Sequence, residues 1–129
     1  MSSDSGAGPR RGPRLLTVRL GGGRIGWLLA AANGRQLARS AVTYRSEPEL
    51  DEAVRQLLVE RAALRYLVQQ DGDRSWGWSA LLPVRSTGQA VGEAVARSAR
   101  GYLRQDQCRQ GMASFQSMLQ QLRALRGAG

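Results

Sequence analysis

From Leu16 onward the chain alternates apolar and polar residues. Leu16, Val18 and Leu20 are separated by single polar positions, a period that predicts a β-strand. Gly21-Gly22-Gly23 follows as a turn, because glycine reaches positive φ at no steric cost. Ile25, Trp27, Leu29 and Ala31 then share one face of a second strand, and Asn33-Gly34 predicts a type I′ hairpin turn. A third strand is predicted over Gln36 to Val42, with Leu37 and Ala41 on one face. At Ser46 the period changes. Ser46-Glu47-Pro48-Glu49 supplies an N-cap serine, a proline in the first turn and a glutamate at N3. Leu50, Val54, Leu57, Leu58 and Leu64 continue at helical spacing.

The same succession is read a second time. Tyr66 and Val68 mark a strand, Asp71-Gly72-Asp73 a turn, and Trp76, Trp78, Ala80 and Leu82 one face of the next strand. A connection longer than the Asn-Gly hairpin runs from about Pro83 to Gly92, and Val95 and Ala99 lie on the third strand. A final helix is predicted from about Gln105 to Arg126, with Cys108, Met112, Phe115, Leu119, Leu122 and Leu125 along one side. Arg104 stands where Ser46 stands in the first helix, so the serine cap is missing.

Self-similarity links the two passes. Residues 38–44 and 96–102 agree at five of seven positions, and Gly26-Trp27 is matched by Gly77-Trp78 in the same order. The spacings differ, which places about seven additional residues between Trp78 and Ala96. A helix with one apolar stripe and a sheet with one apolar face must cover each other. The expected fold is therefore α+β: two tandem β-β-β-α repeats forming a two-layer antiparallel sheet with two helices. Repeat one spans 15–63 and repeat two spans 64–126 of a single domain. Residues 1–14, rich in Ser, Gly, Pro and Arg, are read as a disordered basic tail that buries too little apolar surface to offset ordering entropy.

Composition narrows the chemistry. The 129-residue chain has no histidine, which removes the commonest general base and metal ligand together. Its single cysteine, Cys108, forms no intrachain disulfide, in keeping with a reducing, cytoplasmic setting. The longest apolar run, Trp27 to Ala32, falls far short of the roughly 20 residues of a membrane span. Every cation is arginine, and about +5 of the net +9 falls after residue 63. Arginine pairs bidentately with carboxylate or phosphate, but a basic balance alone implies nonspecific attraction to polyanions.

Several stretches of the second pass carry a family pattern. Ser75-Trp76-Gly77-Trp78, Gly92-Glu93-Ala94-Val95-Ala96-Arg97-Ser98, Gly101-Tyr102 and Cys108-Arg109-Gln110-Gly111-Met112-Ala113-Ser114 together resemble the YegP-like family of small bacterial and archaeal proteins. The resemblance covers nearly all of 65–116, whereas 16–60 matches only through Trp27, Asn33-Gly34, Ser40 and Tyr44. Val54 and Ala53 stand in the stretch where the family has its cysteine and helix glycine. The resemblance implies the fold, built by tandem repeats or by dimerising a single unit, and no catalytic motif, since the family's function is unassigned.

The candidate sites are weighed on chemistry. The acidic cluster Glu47, Glu49, Asp51 and Glu52 is explained by the helix dipole and the cap. The three consecutive glycines lack the Gly-Lys-Ser/Thr of a phosphate loop. Cys108 has Arg104 and Arg109 nearby but no histidine to act as base, so it reads as a small core residue. Trp76 and Trp78 could stack bases or sugars, or pack under the helices, and at least one is expected in the core. Arg39 and Arg97 are equivalent in the repeat, and Arg85 lies in the added loop. The candidate binding surface is thus Arg39, Arg97, Trp76, Trp78, Arg85 and Arg100, with no catalytic, metal or cofactor residues expected. These features point to a non-enzymatic binding or assembly module, with a protein partner or a second copy as its target. The alternative is a nucleic-acid-associated protein using the arginine-rich surface and the strand tryptophans. No membrane partner is expected.

Overall fold

The computed structural model describes residues 12–84 and 89–128, the side chains of 83–84, 89–92 and 123–128 excepted. Three strands, β1 (Arg14–Arg19), β2 (Ile25–Ala30) and β3 (Gln36–Ser40), lead into helix α1 (Glu47–Val59). Three more, β4 (Arg65–Gln70), β5 (Trp76–Val84) and β6 (Gln89–Ser98), lead into helix α2 (Gln105–Ala128). All six strands join one sheet in the order β1-β2-β3-β6-β5-β4, and every neighbouring pair is antiparallel. The molecule is thus α+β, one six-stranded antiparallel sheet with two helices. Arg14, assigned from sequence to the tail, begins β1, and residues 1–11 lie outside the described residues.

The join between β3 and β6 makes the two three-stranded sets a single sheet. Ala38 lies opposite Ser98, Arg39 opposite Arg97, and Ser40 opposite Ala96. Both helices cover one side of this sheet. Leu50, Val54, Leu57 and Leu58 of α1 and Cys108, Phe115, Leu119 and Leu122 of α2 meet Trp27, Leu29 and Trp78 in one cluster. Alanine takes the central strand positions beneath them. Ala38, Ala80 and Ala96 are fully buried, because large helix residues such as Phe115 and Leu119 already fill the space above. Tyr66, Trp78 and Phe115 form an aromatic group joining β4, β5 and α2, with the Trp78 and Phe115 rings 4.7 Å apart.

Helix α1 starts as its sequence dictates. Ser46 Oγ accepts from the Glu49 N–H, and Glu49 Oε1 reaches back to the Arg45 N–H at 3.0 Å. The helix stops at Val59, and a short 3-10 turn over Arg61–Ala63 delivers Leu64 to the core, so Leu64 does not belong to the helical stripe. Helix α2 begins after Arg104, whose guanidinium pairs with Asp106 in the first turn. On the periodic side of α2, Cys108, Phe115, Leu119 and Leu122 are buried and Met112 is half-buried, while Leu125 lies outside the described side chains.

Several local expectations change. The alternating set Leu16, Val18 and Leu20 is not the core set of β1: Leu15 packs against the core, whereas Leu16 and Leu20 are exposed. In β3 and β6 the buried positions are Ala38 and Ala96 rather than Ala41 and Ala99, and Leu37 and Val95 are only half-buried. The Asn33-Gly34 loop is not type I′, which needs positive φ at two residues. Gly34 alone in that loop is left-handed, at φ 87°, and its N–H donates to the Ala31 carbonyl. The expected loop from Pro83 to Gly92 is largely strand. Val84 pairs with Gln89 and Leu82 with Glu93, so the additional residues lengthen a hairpin, with register irregularities after Ala80 and Leu82.

Candidate functional site

The side of the sheet away from the helices carries a row of directly opposed residues. It runs Leu16, Leu28, Arg39, Arg97, Ser79, Leu67 across all six strands. Alternation puts Arg39 and Arg97 there, because their neighbours Ala38 and Ala96 face the helices. Both guanidiniums are exposed, and neither pairs with a carboxylate among the described residues. Like charges directly opposite each other weaken a strand pair. Beside them a cleft of about 420 Å³ is lined by Val18, Leu20, Gly26, Leu28 and both arginines. Gly26 keeps it open, since a Cβ at that position would lie 2.8 Å from Ser40 Oγ. That hydroxyl accepts the Trp27 N–H at 3.1 Å, and Ser98 Oγ accepts the Trp78 N–H at 3.3 Å. At both places a serine replaces a carbonyl where the third strand of the set leaves the ladder.

The tryptophans are on the other side. Trp78 is 1% exposed and cannot belong to a binding surface, which corrects the sequence reading for that residue. Trp76 is half-buried and packs against the core, its backbone exchanging two hydrogen bonds with Tyr102. The helices cover the face that Trp76, Trp78, Ala80 and Leu82 share, so the period-2 pattern that makes the strand also removes its aromatic side chains from the open face. Arg85 lies outside the described residues.

Arg100 is brought to a different place, a groove of about 400 Å³ between the β2–β3 turn and α2. Its guanidinium carbon sits 5.3 Å from the centre of the Tyr102 ring. The same groove is lined by Arg35, which sequence reasoning did not single out. The Tyr102 hydroxyl is pressed against α2 at Gly111, where a Cβ would lie 2.3 Å from the oxygen. The readable signal was the glycine itself, an isolated breaker inside a helical pattern. Burial raises the Tyr102 phenol above the ordinary tyrosine value, opposed first by Arg100 and more weakly by Arg35. The Trp78 indole N–H also favours the phenolate slightly, yet it makes no hydrogen bond of normal geometry and is left as a buried unpartnered donor.

Cys108 is completely buried at the start of α2. Burial pushes its thiol upward, against a smaller downward pull from Arg109 and with a smaller push from Asp71. A buried thiol held protonated is a packing residue rather than a nucleophile. Among the described residues no three His, Cys, Asp or Glu side chains gather as a metal site, and no helix is long and apolar enough to cross a membrane.

No protein-family model matches the sequence, and no curated protein matches it. Solved structures do match in fold. The solution NMR structure of the protein of unknown function yegP from E. coli superposes with a TM-score of 0.61 at 15% identity, covering 84% of this chain and 86% of its own. That of a UPF0339 protein from Shewanella oneidensis gives 0.60 at 11% identity, covering 81% and 82%. The six-stranded antiparallel sheet with its two helices is a YegP-like fold.

Proposed function

We propose that this protein is a non-enzymatic binding module whose open sheet face docks an acidic segment of a protein partner. The observation that carries the reading is the opposed pair Arg39 and Arg97, unpaired by carboxylates among the described residues and flanked on the same face by Leu16, Leu28 and Leu67. Two adjacent guanidiniums suit two carboxylates, and the aliphatic residues on either side suit short apolar side chains. A second copy docked through the same face would set arginine pair against arginine pair, so self-association by this surface is disfavoured. The nucleic-acid alternative loses aromatic support, because single-strand-binding sheets stack bases on exposed rings, whereas here Trp78 is buried and Trp76 is half-buried against the core on the helix-covered side.

The arrangement also favours descent of the two β-β-β-α halves from one duplicated unit. Arg39 and Arg97, which match at a spacing of 58, face each other across the β3–β6 join, and the pair Ala38 with Ser98 is repeated as Ala96 with Ser40, as an internal two-fold requires. Ile25 bridges Tyr44 as Trp76 bridges Tyr102, in the same geometry. A bacterial, reducing and cytoplasmic setting completes the proposal, with Cys108 free and buried.

The test is fluorescence anisotropy with a labelled peptide alternating Glu and Leu, beside a labelled single-stranded oligonucleotide, over a range of salt. The peptide is expected to bind, and the double variant Arg39→Gln/Arg97→Gln to weaken it at least tenfold. Oligonucleotide binding that exceeds peptide binding and falls steeply with salt would favour the phosphate-driven alternative. Peptide binding unchanged in the double variant would remove the open face from the proposal.

A further inference from the structure

The groove holding Arg100 differs from its counterpart on the other half of the molecule. Tyr44 occupies the position 58 residues before Tyr102, and the cleft beside it is about 170 Å³ and lined by Val42, Ala53, Leu57, Leu82 and Val95. Among the described residues its charged wall residue is an acid, Glu93. In the Tyr102 groove Val42 is replaced by Arg100 and Ala53 by Gly111, Arg35 joins from the β2–β3 turn, and no acidic residue lines the wall among the described residues. The volume is more than doubled. Most of the remaining wall is amide and hydroxyl, including Asn33, Gln107, Gln110 and Ser114.

We infer that this groove binds a small anionic molecule whose phosphate or carboxylate is held between Arg35 and Arg100, with its polar body against the amides of α2. Size supports a small molecule, since about 400 Å³ falls in the range of pockets that enclose one. The arginines supply charge-assisted hydrogen bonds, and Gln107 and Gln110 offer both donors and acceptors. Gly111 reserves the space for the Tyr102 hydroxyl, which a larger residue would force into the groove. The site is separate from the Arg39–Arg97 face and does not depend on it.

The buried Trp78 indole, close behind Tyr102, is a built-in reporter. Its amide-region NMR cross-peak can be followed while inorganic phosphate, and separately succinate, is titrated into the full chain at constant ionic strength. A saturable shift of the Trp78 indole signal with either anion is expected, phosphate alone or succinate alone identifying which anionic head the site prefers. Arg100→Gln and Arg35→Gln are each expected to weaken binding about tenfold. Arg65→Gln, an exposed position on an edge strand with the same loss of charge, is expected to change it less than twofold. No saturable shift with either anion, or equal weakening by Arg65→Gln and Arg100→Gln, would overturn the inference. One-dimensional amide spectra of each variant establish that it is folded, and the two groove variants serve as independent checks on each other.

Discussion

Arg39 and Arg97 occupy directly opposed positions on β3 and β6, at the centre of the six-stranded sheet, and neither pairs with a carboxylate among the described residues. Like charges facing each other across an antiparallel pair are a stability cost. Converting one to an acid replaces repulsion by attraction, a gain of roughly 0.5 kcal/mol on the scale of cross-strand pairs. Arg97→Glu is therefore expected to raise the melting temperature by about 2–4 °C at low salt while abolishing binding of acidic peptide. Thermal unfolding followed by circular dichroism measures the first effect. An unchanged or lower melting temperature would mean that the two guanidiniums already avoid each other.

Gly111 is needed for packing rather than for helix formation. Alanine is the better helix former by about 1 kcal/mol, so on propensity Gly111→Ala should stabilise α2. A Cβ there would lie 2.3 Å from the Tyr102 hydroxyl and 2.8 Å from the ring carbon that bears it. Overpacking of this kind costs about 1–3 kcal/mol, and the expected outcome is net destabilisation in a urea titration. Tyr102→Phe in the same chain is expected to restore part of the loss by removing the closest atom. A stabilised single variant would show that the tyrosine is free to move away.

Arg74 is the non-glycine residue held at positive φ, 69°, among those described. In the β1–β2 loop the matching place is taken by Gly23 at φ 74°. A left-handed L-residue costs about 1–2 kcal/mol, and glycine loses about 0.5–1 kcal/mol of that advantage through chain entropy. Arg74→Gly is expected to stabilise the protein by about 0.5–1 kcal/mol, read as an increased urea midpoint at unchanged slope. A lower midpoint would show that the arginine side chain contributes more than its backbone costs.

The dependence of stability on pH follows from groups whose burial favours the protonated form. Tyr44, Tyr66, Tyr102 and Cys108 are all shifted upward in the folded protein, each mainly by desolvation. The unfolded chain thus releases these protons first as pH rises, so it binds fewer protons than the native state and stability falls with pH. The decline is expected to begin near the unfolded thiol value of about 8.5 and to steepen near the tyrosine value of about 10. With no histidine in the chain, stability between about pH 6 and 8 is expected to stay nearly flat. Urea midpoints from pH 6 to 11 test both statements, and Tyr66→Phe is expected to make the alkaline decline shallower. A decline of the same steepness in that variant would assign the effect elsewhere.

Much of the architecture is written locally. Ser46, Pro48 and Glu49 place the start of α1 without reference to the rest of the chain, because a cap is satisfied by atoms within one turn. The strand periods, the repeated Ala-Arg-Ser-Ala segments and the apolar side of α2 are legible for the same reason. The turn type at Asn33-Gly34 was not, since one residue at positive φ or two gives the same residue preferences. The lengthened β5–β6 hairpin is not legible as strand in the sequence, because its irregular register breaks the alternation that announces one.

The candidate sites divide along the same line. Sequence alone determined that histidine chemistry is absent, that Arg39 and Arg97 are matched positions, and that Trp76 and Trp78 share a face. Which face the helices cover was decided only by tertiary structure, and that choice buried Trp78, opened Arg39 and Arg97, and sent Arg100 to a separate groove with Arg35. A strand's period of two fixes which residues stay together but gives both faces the same standing. Only the packing of α1 and α2, through contacts remote in sequence, breaks that equality and separates core from surface.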